Sequence, residues 1–313
     1  MNMGTVFFIN GFLECGKTTF IRELIEREKI RKCGKVLLLV CEEGEEEYDT
    51  EALAAEEIYV EWLLEEKQFQ EAHLTEIEKK FRPDLTIVEF NGMWNRREIR
   101  FPKHWKDLAE VAVIDATMFK IYSENLTAYQ AEQIRNAEMV IFNRCDAVRE
   151  HLAAYARNVK AINPRALLLF KGAEGDIFLS ADELLPYDIR KDTLELDEEG
   201  FVAFCIDIHE RLELYENKTV SFVSRAYQTK TENEMEFVGG RYVMTCCEAD
   251  MTFLGMLCAY AKAYELQQKE WVRVSGTVRK VYDDHAQREI PVCVVRTLEI
   301  TETPKQEVIS LTV

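Results

Sequence analysis

The sequence predicts an α/β unit built on a mainly parallel sheet, followed by a smaller antiparallel β unit. Three observations carry that reading. Short apolar segments in the first half alternate with amphipathic stretches, and one turn between them is glycine-rich and opens a helix. From about Phe201 the apolar segments lengthen, alternate with polar residues and fill with Val, Tyr and Thr.

The elements follow in order. Strands are expected at Thr5–Asn10, Lys35–Val40, Leu85–Glu89, Val111–Asp115, Val140–Asn143 and Ala166–Phe170, with helical stretches after most of them, beginning with Thr18–Arg27. Segments this short and this apolar are typical of strands covered on both faces by crossover helices. In the second half, longer strands are expected at Lys218–Thr229, Glu236–Cys246, near 252–261, at Trp271–Asp284 and at Glu289–Glu302, with turn signals at Gly239-Gly240 and Asp283-Asp284. Five such strands read as a small OB-like barrel. The join falls within Phe178–Gly200, where Pro186 and the acidic run Asp192–Glu199 break the pattern. The expected division is a first domain over 1–178, a linker over 179–200 and a β domain over 201–313, which suits a chain of 313 residues.

The chemistry is concentrated in the first part. Gly11-Phe12-Leu13-Glu14-Cys15-Gly16-Lys17-Thr18 fits GxxxxGK[ST] between a strand and a helix, the setting that a phosphate-binding loop requires. Gly11 and Gly16 let the backbone curl so that the N–H groups of the loop, Glu14 and Cys15 among them, face phosphate oxygens, and the helix N-terminus adds positive potential. Lys17 is then placed to span the β- and γ-phosphates, Thr18 to give its hydroxyl to Mg²⁺ and Thr19 to reach the α-phosphate. The fold class expected for this part is α/β, a P-loop NTPase domain with a mainly parallel sheet.

Two further segments come in the order a P-loop GTPase needs. Asp84–Glu89 is an apolar strand ending in a carboxylate, with Gly92 three residues on. Glu89 can hold Mg²⁺ through water and orient the attacking water. Met139–Asp146 reads as a strand followed by Asn143-Arg144-Cys145-Asp146, an NKxD-type loop with Arg in place of Lys. Asp146 would accept from the N1–H and 2-amino group of guanine, Asn143 would brace the loop, and the Arg144 stem would pack over the base. This favours GTP over ATP, with GTP and GDP as ligands and Lys17 and Glu89 as the catalytic pair. No arginine finger declares itself; Arg96 and Arg97, just beyond Gly92, are the nearest candidates.

At 11–19, Gly-Phe-Leu-Glu-Cys-Gly-Lys-Thr-Thr resembles the GFLGxGKTT signature of the CobW branch of the CobW/HypB/UreG GTPases, and Glu89–Gly92 matches the ExxG of that group. Cys41-Glu42-Glu43-Gly44-Glu45 through Asp49 resembles its N-[DE]-F-G-E…D segment, which implies Glu42 and Asp49 near Mg²⁺ or in a switch loop. Val111–Thr117, Ile162-Asn163-Pro164 and the base-flanking Lys171-Gly172-Ala173 extend the resemblance over about 3–178. It implies a GTPase that couples nucleotide state to delivery of a metal such as zinc or cobalt, with a metalloprotein client. The sequence departs from the family in one respect: family members carry CxCC between the second strand and ExxG, whereas no Cys lies between Cys41 and Glu89 here. Thiolates are the natural ligands of a soft metal. The twelve Asp and Glu from Glu42 to Glu66 read mostly as a solvated helix face with a mobile switch loop, the alternative being a hard-metal site that substitutes for the thiolates.

In the second part, Arg241–Asp250 followed by Trp271–Thr277 is similar to the RFVMxCCxAD and WVxVxGT segments of a family of bacterial permease subunits. Cys246 and Cys247 are the Zn²⁺ candidates. Neighbouring strand residues face opposite ways, so joint ligation requires the chain to turn there. The alternative is one buried and one half-exposed thiol. The functional alternatives are a nucleotide-controlled adaptor of a membrane permease that carries no metal, and an ATP-using kinase-like protein.

Composition sets the remaining bounds. With 39 Lys+Arg against 57 Asp+Glu the net charge is −18, and the last 113 residues hold 13 basic and 17 acidic side chains. Nucleic acid is therefore not an expected partner, because neutralising phosphates needs clustered cations. No apolar run approaches the ~20 residues of a membrane span, and the N-terminus lacks the basic start of a secretory signal. Nine Cys without framework spacing fit a reducing cytoplasm. A homo-oligomer is compatible with all of this.

Overall fold

Val36–Val40 and Leu85–Glu89 are each buried at all five positions, so both lie in the interior of a sheet covered on two faces. The computed structural model describes residues 5–27, 30, 33–228, 235–244, 251–284 and 286–310, and the chain divides into two units at Phe178/Leu179.

The first unit runs β1 (Thr5–Asn10), α1 (Lys17–Ile25), β2 (Val36–Val40), α2 (Thr50–Ala55), β3 (Ile58–Trp62), α3 (Glu71–Phe81), β4 (Leu85–Glu89), β5 (Leu108–Asp115), α4 (Phe119–Asn125), α5 (Thr127–Arg135), β6 (Met139–Asn143), α6 (Leu152–Ile162), β7 (Leu167–Gly172) and β8 (Gly175–Ile177). Its sheet has the order β3-β2-β4-β1-β5-β6-β7-β8, parallel except for the β7–β8 hairpin. Alternate residues feed two cores. Ile9, Leu38, Ile87 and Val113 pack with Ile21 and Ile25 of α1 on one face. On the other, Phe8, Leu39 and Val88 meet an aromatic group that includes Phe69, Phe90 and Trp105. β1 lies between β4 and β5, with Ile9 opposite both Glu89 and Val111. The C-terminal ends of β1, β4, β5 and β6 therefore open on one edge, where ligands of open parallel sheets bind.

The second unit runs β9 (Thr193–Glu195), α7 (Glu198–Glu210), α8 (Leu212–Tyr215), β10 (Thr219–Gln228), β11 (Glu236–Met244), β12 (Met251–Ala259), β13 (Glu270–Asp283), β14 (Arg288–Ile300) and β15 (Ile309–Ser310). Strands pair as β10-β11-β12-β14-β13 and back to β10, a closed five-stranded barrel in which only β12 and β14 run parallel. This is the OB-like barrel expected from the strand pattern. β9 and β15 add at its edges, alongside β10 and β11.

Three expectations are corrected. Gly239-Gly240 lies inside β11 and is not a turn: a Cβ on Gly240 would collide with the Phe253 ring and the Leu254 carbonyl, so glycine is what lets the neighbouring strand pack so closely. Residues 179–200 are not a linker, because Ile189, Leu194 and Leu196 are in the core of the second unit. The acidic run ends in a helix instead: Asp197 caps α7 by accepting from Gly200 N at 2.7 Å, and Phe201, Phe204 and Ile208 are buried behind it. Finally, the tract at 42–66 is not mainly a helix face, since α2 spans only six residues and the edge strand β3 follows it. No helix among the described residues is long and apolar enough to cross a membrane.

Separate cores predict separate folding. A fragment over 179–313 should melt cooperatively by circular dichroism. One over 201–313 should be less stable by several kcal/mol, since full burial of each of three lost aliphatic side chains contributes ~1.5–3 kcal/mol.

Candidate nucleotide site

The loop after β1 is shaped by backbone that side chains resist. Gly11 and Gly16 have φ of 154° and 96°, and a Cβ on Gly16 would sit 2.5 Å from Nδ2 of Asn143. Asn10 Oδ1 accepts from Gly11 N at 2.8 Å. α1 starts at Lys17 with no side chain capping it, so its first N–H groups face the loop.

Lys17 is 3% exposed. Its ammonium donates to the Gly11 and Phe12 carbonyls, each at 2.8 Å, and pairs with Glu42. Burial works against this charge, but Cys15, Glu42 and Glu89 outweigh it and the Lys17 pKa ends above its ordinary value. Burial also raises the Glu42 carboxyl, and Lys17 only partly opposes that. At the next residue, the Thr18 hydroxyl donates to Glu89 Oε1 at 2.6 Å, and Tyr48 OH donates to Glu89 Oε2 at 2.6 Å. Burial, reinforced by Glu89, pushes the Tyr48 phenol well up, so it remains a donor. Thr18 and Glu89 form a pair of hard oxygen donors, a chemistry that suits Mg²⁺.

The end of β6 closes the other side. Asn143 Nδ2 donates to Cys15 O at 2.8 Å, tying this loop to the first one. Arg144, at φ 59°, donates to Glu14 O at 2.9 Å and pairs with Asp115. Asp146 Oδ2 accepts from Ala173 N at 2.7 Å, which orients the carboxylate, and Lys171 pairs with Glu23. Two cavities result. One of about 140 Å³ is lined by Lys17, Thr18, Glu42, Gly44 and Glu89. The other, about 510 Å³, is lined by Phe20, Glu23, Asp146, Lys171 and Gly172. Gly16, Thr19 and Arg144 line both.

The structure thus gathers Gly11, Glu14, Cys15, Gly16, Lys17, Thr18, Thr19, Glu42, Glu89, Asn143, Arg144 and Asp146 around one edge of the sheet. Asp49 is elsewhere, capping α2 through Ala52 N at 3.0 Å. Arg96 pairs with Glu110 against the Phe8 and Phe101 rings and Arg97 pairs with Glu132; neither lines the smaller cavity beside Lys17. Cys246 and Cys247 lie outside the described residues. Among the described residues no group of three or more His, Cys, Asp or Glu is placed to hold a metal ion. Tyr48 and Asp115 went unrecognised in the sequence, although Tyr48 is the lone aromatic in the acidic segment Glu42–Asp49.

The thiols at this site are neutral. Burial pushes Cys15 up to about 11 against the opposing pull of Lys17, and Cys145 up to about 12. With a pKa of about 11 only roughly a thousandth of Cys15 is thiolate at pH 8. Peptide mapping after iodoacetamide at pH 8 should find exposed Cys33 modified and Cys15 and Cys145 intact, with Cys15 reacting only as pH approaches 11.

Residues 5–170 match the family model described as CobW/HypB/UreG, nucleotide-binding domain, and residues 179–309 match that of the DUF1980 C-terminal domain. Among solved structures, the hydrogenase maturation factor HypB from Archaeoglobus fulgidus is 19% identical, with 55% of this chain and 83% of that chain covered and a TM-score of 0.42. The Zn(II)-bound YjiA GTPase from E. coli is 14% identical, with 98% and 92% covered and a TM-score of 0.41. No curated protein matches. With the family model spanning more than half its length, from β1 to β7, the chain belongs to the CobW/HypB/UreG family of P-loop GTPases.

Proposed function

We propose that this protein binds GTP with Mg²⁺, hydrolyses it slowly, and uses the nucleotide state in the trafficking or homeostasis of a metal such as zinc or cobalt in the cytoplasm. One observation carries the nucleotide reading. Asn143 joins the base-side loop to the phosphate loop through Cys15 O, and Asp146 is oriented in a cavity continuous in its lining with the one around Lys17. A purine in the larger cavity leaves its phosphates at the loop.

In this mechanism the loop amides and Lys17 stabilise charge on the phosphoryl oxygens. Thr18 and Glu89 would hold Mg²⁺, which would supply neutralisation of phosphate charge. Glu89 also orients the attacking water. Asp146 accepts from the guanine N1–H and 2-amino group, donors that adenine does not offer together. The family resemblance supplies the metal theme. A second reading, a nucleotide-controlled adaptor of a membrane permease, is favoured by the lack of any Cys between Cys41 and Glu89, where the family carries its thiolate motif.

Calorimetric titration should give GTP a clear advantage over ATP, and Asp146→Ala should remove that preference without unfolding the chain. Lys17→Ala should lower the GTP hydrolysis rate by ~10²–10³ in a phosphate-release assay, the usual loss when one stabilising group is removed. Zn²⁺ binding that differs between GTP and GDP states and is lost in Cys246→Ser/Cys247→Ser would favour metal carriage. Equal, negligible Zn²⁺ affinity in both states would favour the adaptor.

A further inference from the structure

The signature segments around Arg241 and Trp271 take no part in the nucleotide site; they lie in the second unit. Ladder pairing of β10 with β11 ends at Arg225/Gly240, and Arg241 is the next residue along β11. Its side chain is 2% exposed, lies over the Trp271 ring and donates to the Gln306 carbonyl. Its one ion pair is loose, with Glu198 at 3.5 Å and itself half exposed. Nε of Arg241 has no hydrogen-bond partner among the described residues. Burial holds the guanidinium below its ordinary pKa, and Glu198 only partly opposes this. A buried cation so weakly compensated, with a donor left over, is short of an anion.

Arg241 lines a cavity of about 360 Å³, near the lower end of the range for small-molecule sites. Arg273, exposed on β13, is a second cation of its wall and pairs across the sheet with Val223, which together with Leu196 supplies the apolar part. Glu195, Asp197 and Glu198 complete the lining. Asp197 is committed to the first turn of α7, where it accepts from Gly200 N. Two guanidinium groups and two carboxylates then remain around one apolar patch. A simple anion is drawn to the arginines but repelled by Glu195 and Glu198, and a simple cation meets the reverse. A molecule that carries both charges avoids both penalties.

We infer that this cavity binds a zwitterion, an α-amino acid with an aliphatic side chain. Arg241 and Arg273 take its carboxylate, Glu195 and Glu198 its ammonium, and Leu196 and Val223 its side chain. A guanidinium receives a carboxylate through its fork of N–H donors, and the spare Nε of Arg241 belongs to that fork. The ligand thus brings the buried cation the anion that the chain does not. The site lies wholly in the second unit and stands apart from the nucleotide reading.

The test is calorimetric titration of the full chain with L-leucine, with N-acetyl-L-leucine, which lacks the ammonium, and with L-leucinamide, which lacks the carboxylate. L-Leucine should bind with single-site stoichiometry, and each derivative at least about tenfold more weakly, the loss expected for one charge-assisted hydrogen bond. Arg241→Gln alters a buried side chain and can lower stability, so the deciding variants are Arg273→Gln and Glu195→Gln, both at exposed positions. Each should weaken L-leucine by a similar factor with an unchanged thermal midpoint. No binding of L-leucine at millimolar concentration overturns the inference. N-acetyl-L-leucine binding as tightly as L-leucine overturns it in favour of a plain anion site. Unchanged affinity in either variant places the amino acid elsewhere and overturns it as well.

Discussion

Parallel pairing of β1 between β4 and β5 is the constraint from which the site follows. With Ile9 in register with Glu89 on one side and Val111 on the other, the strands end together. Asn10, Glu89, Asp115 and Asn143 are delivered to one edge although they are spread over more than 130 residues of chain. The loop at 11–16 then needs a backbone that only glycine adopts easily at its two ends, and Asn143 occupies the space that a Cβ on Gly16 would need. The two halves of the site are therefore fitted to each other through backbone, before any ligand chemistry is considered.

The electrostatics of this edge are dominated by negative charge, because five carboxylates line the smaller cavity beside Lys17. Much of that charge is internally satisfied. Glu42 is set against Lys17 and Glu46 against Arg22, while the Glu89 oxygens are shared between two hydroxyl donors. A buried ion pair of this kind contributes little net stability, since desolvation offsets the attraction.

The second unit solves a different problem. A five-stranded barrel closes its own edges, and its interior is filled by Phe222, Phe237, Val274 and Cys293 together with Phe201 and Phe204 from α7. Arg225 and Arg241 both lie over the Trp271 ring, and they bind Glu307 and the Gln306 carbonyl just before β15. Two signature segments of the sequence, at Arg241 and Trp271, thus meet in a stack that secures the last strand.

The residues gathered at this edge were legible in the sequence because each signal is local: GxxxxGKT, a carboxylate ending an apolar strand, and Asn-x-x-Asp after another strand each imply their own backbone setting. The parallel sheet and the barrel were likewise readable from strand length and alternation. Other features were hidden because their cause is remote. Gly239-Gly240 reads as a turn until Phe253 is found across the strand pair, and the acidic run before Phe201 reads as a linker until Leu194 and Leu196 are found in a core. Tyr48 carries no motif, and only the folded chain brings its hydroxyl to Glu89. Local patterns write backbone geometry and chemistry into the sequence, whereas which anion faces Lys17 is decided by a contact across 25 residues that no periodicity encodes.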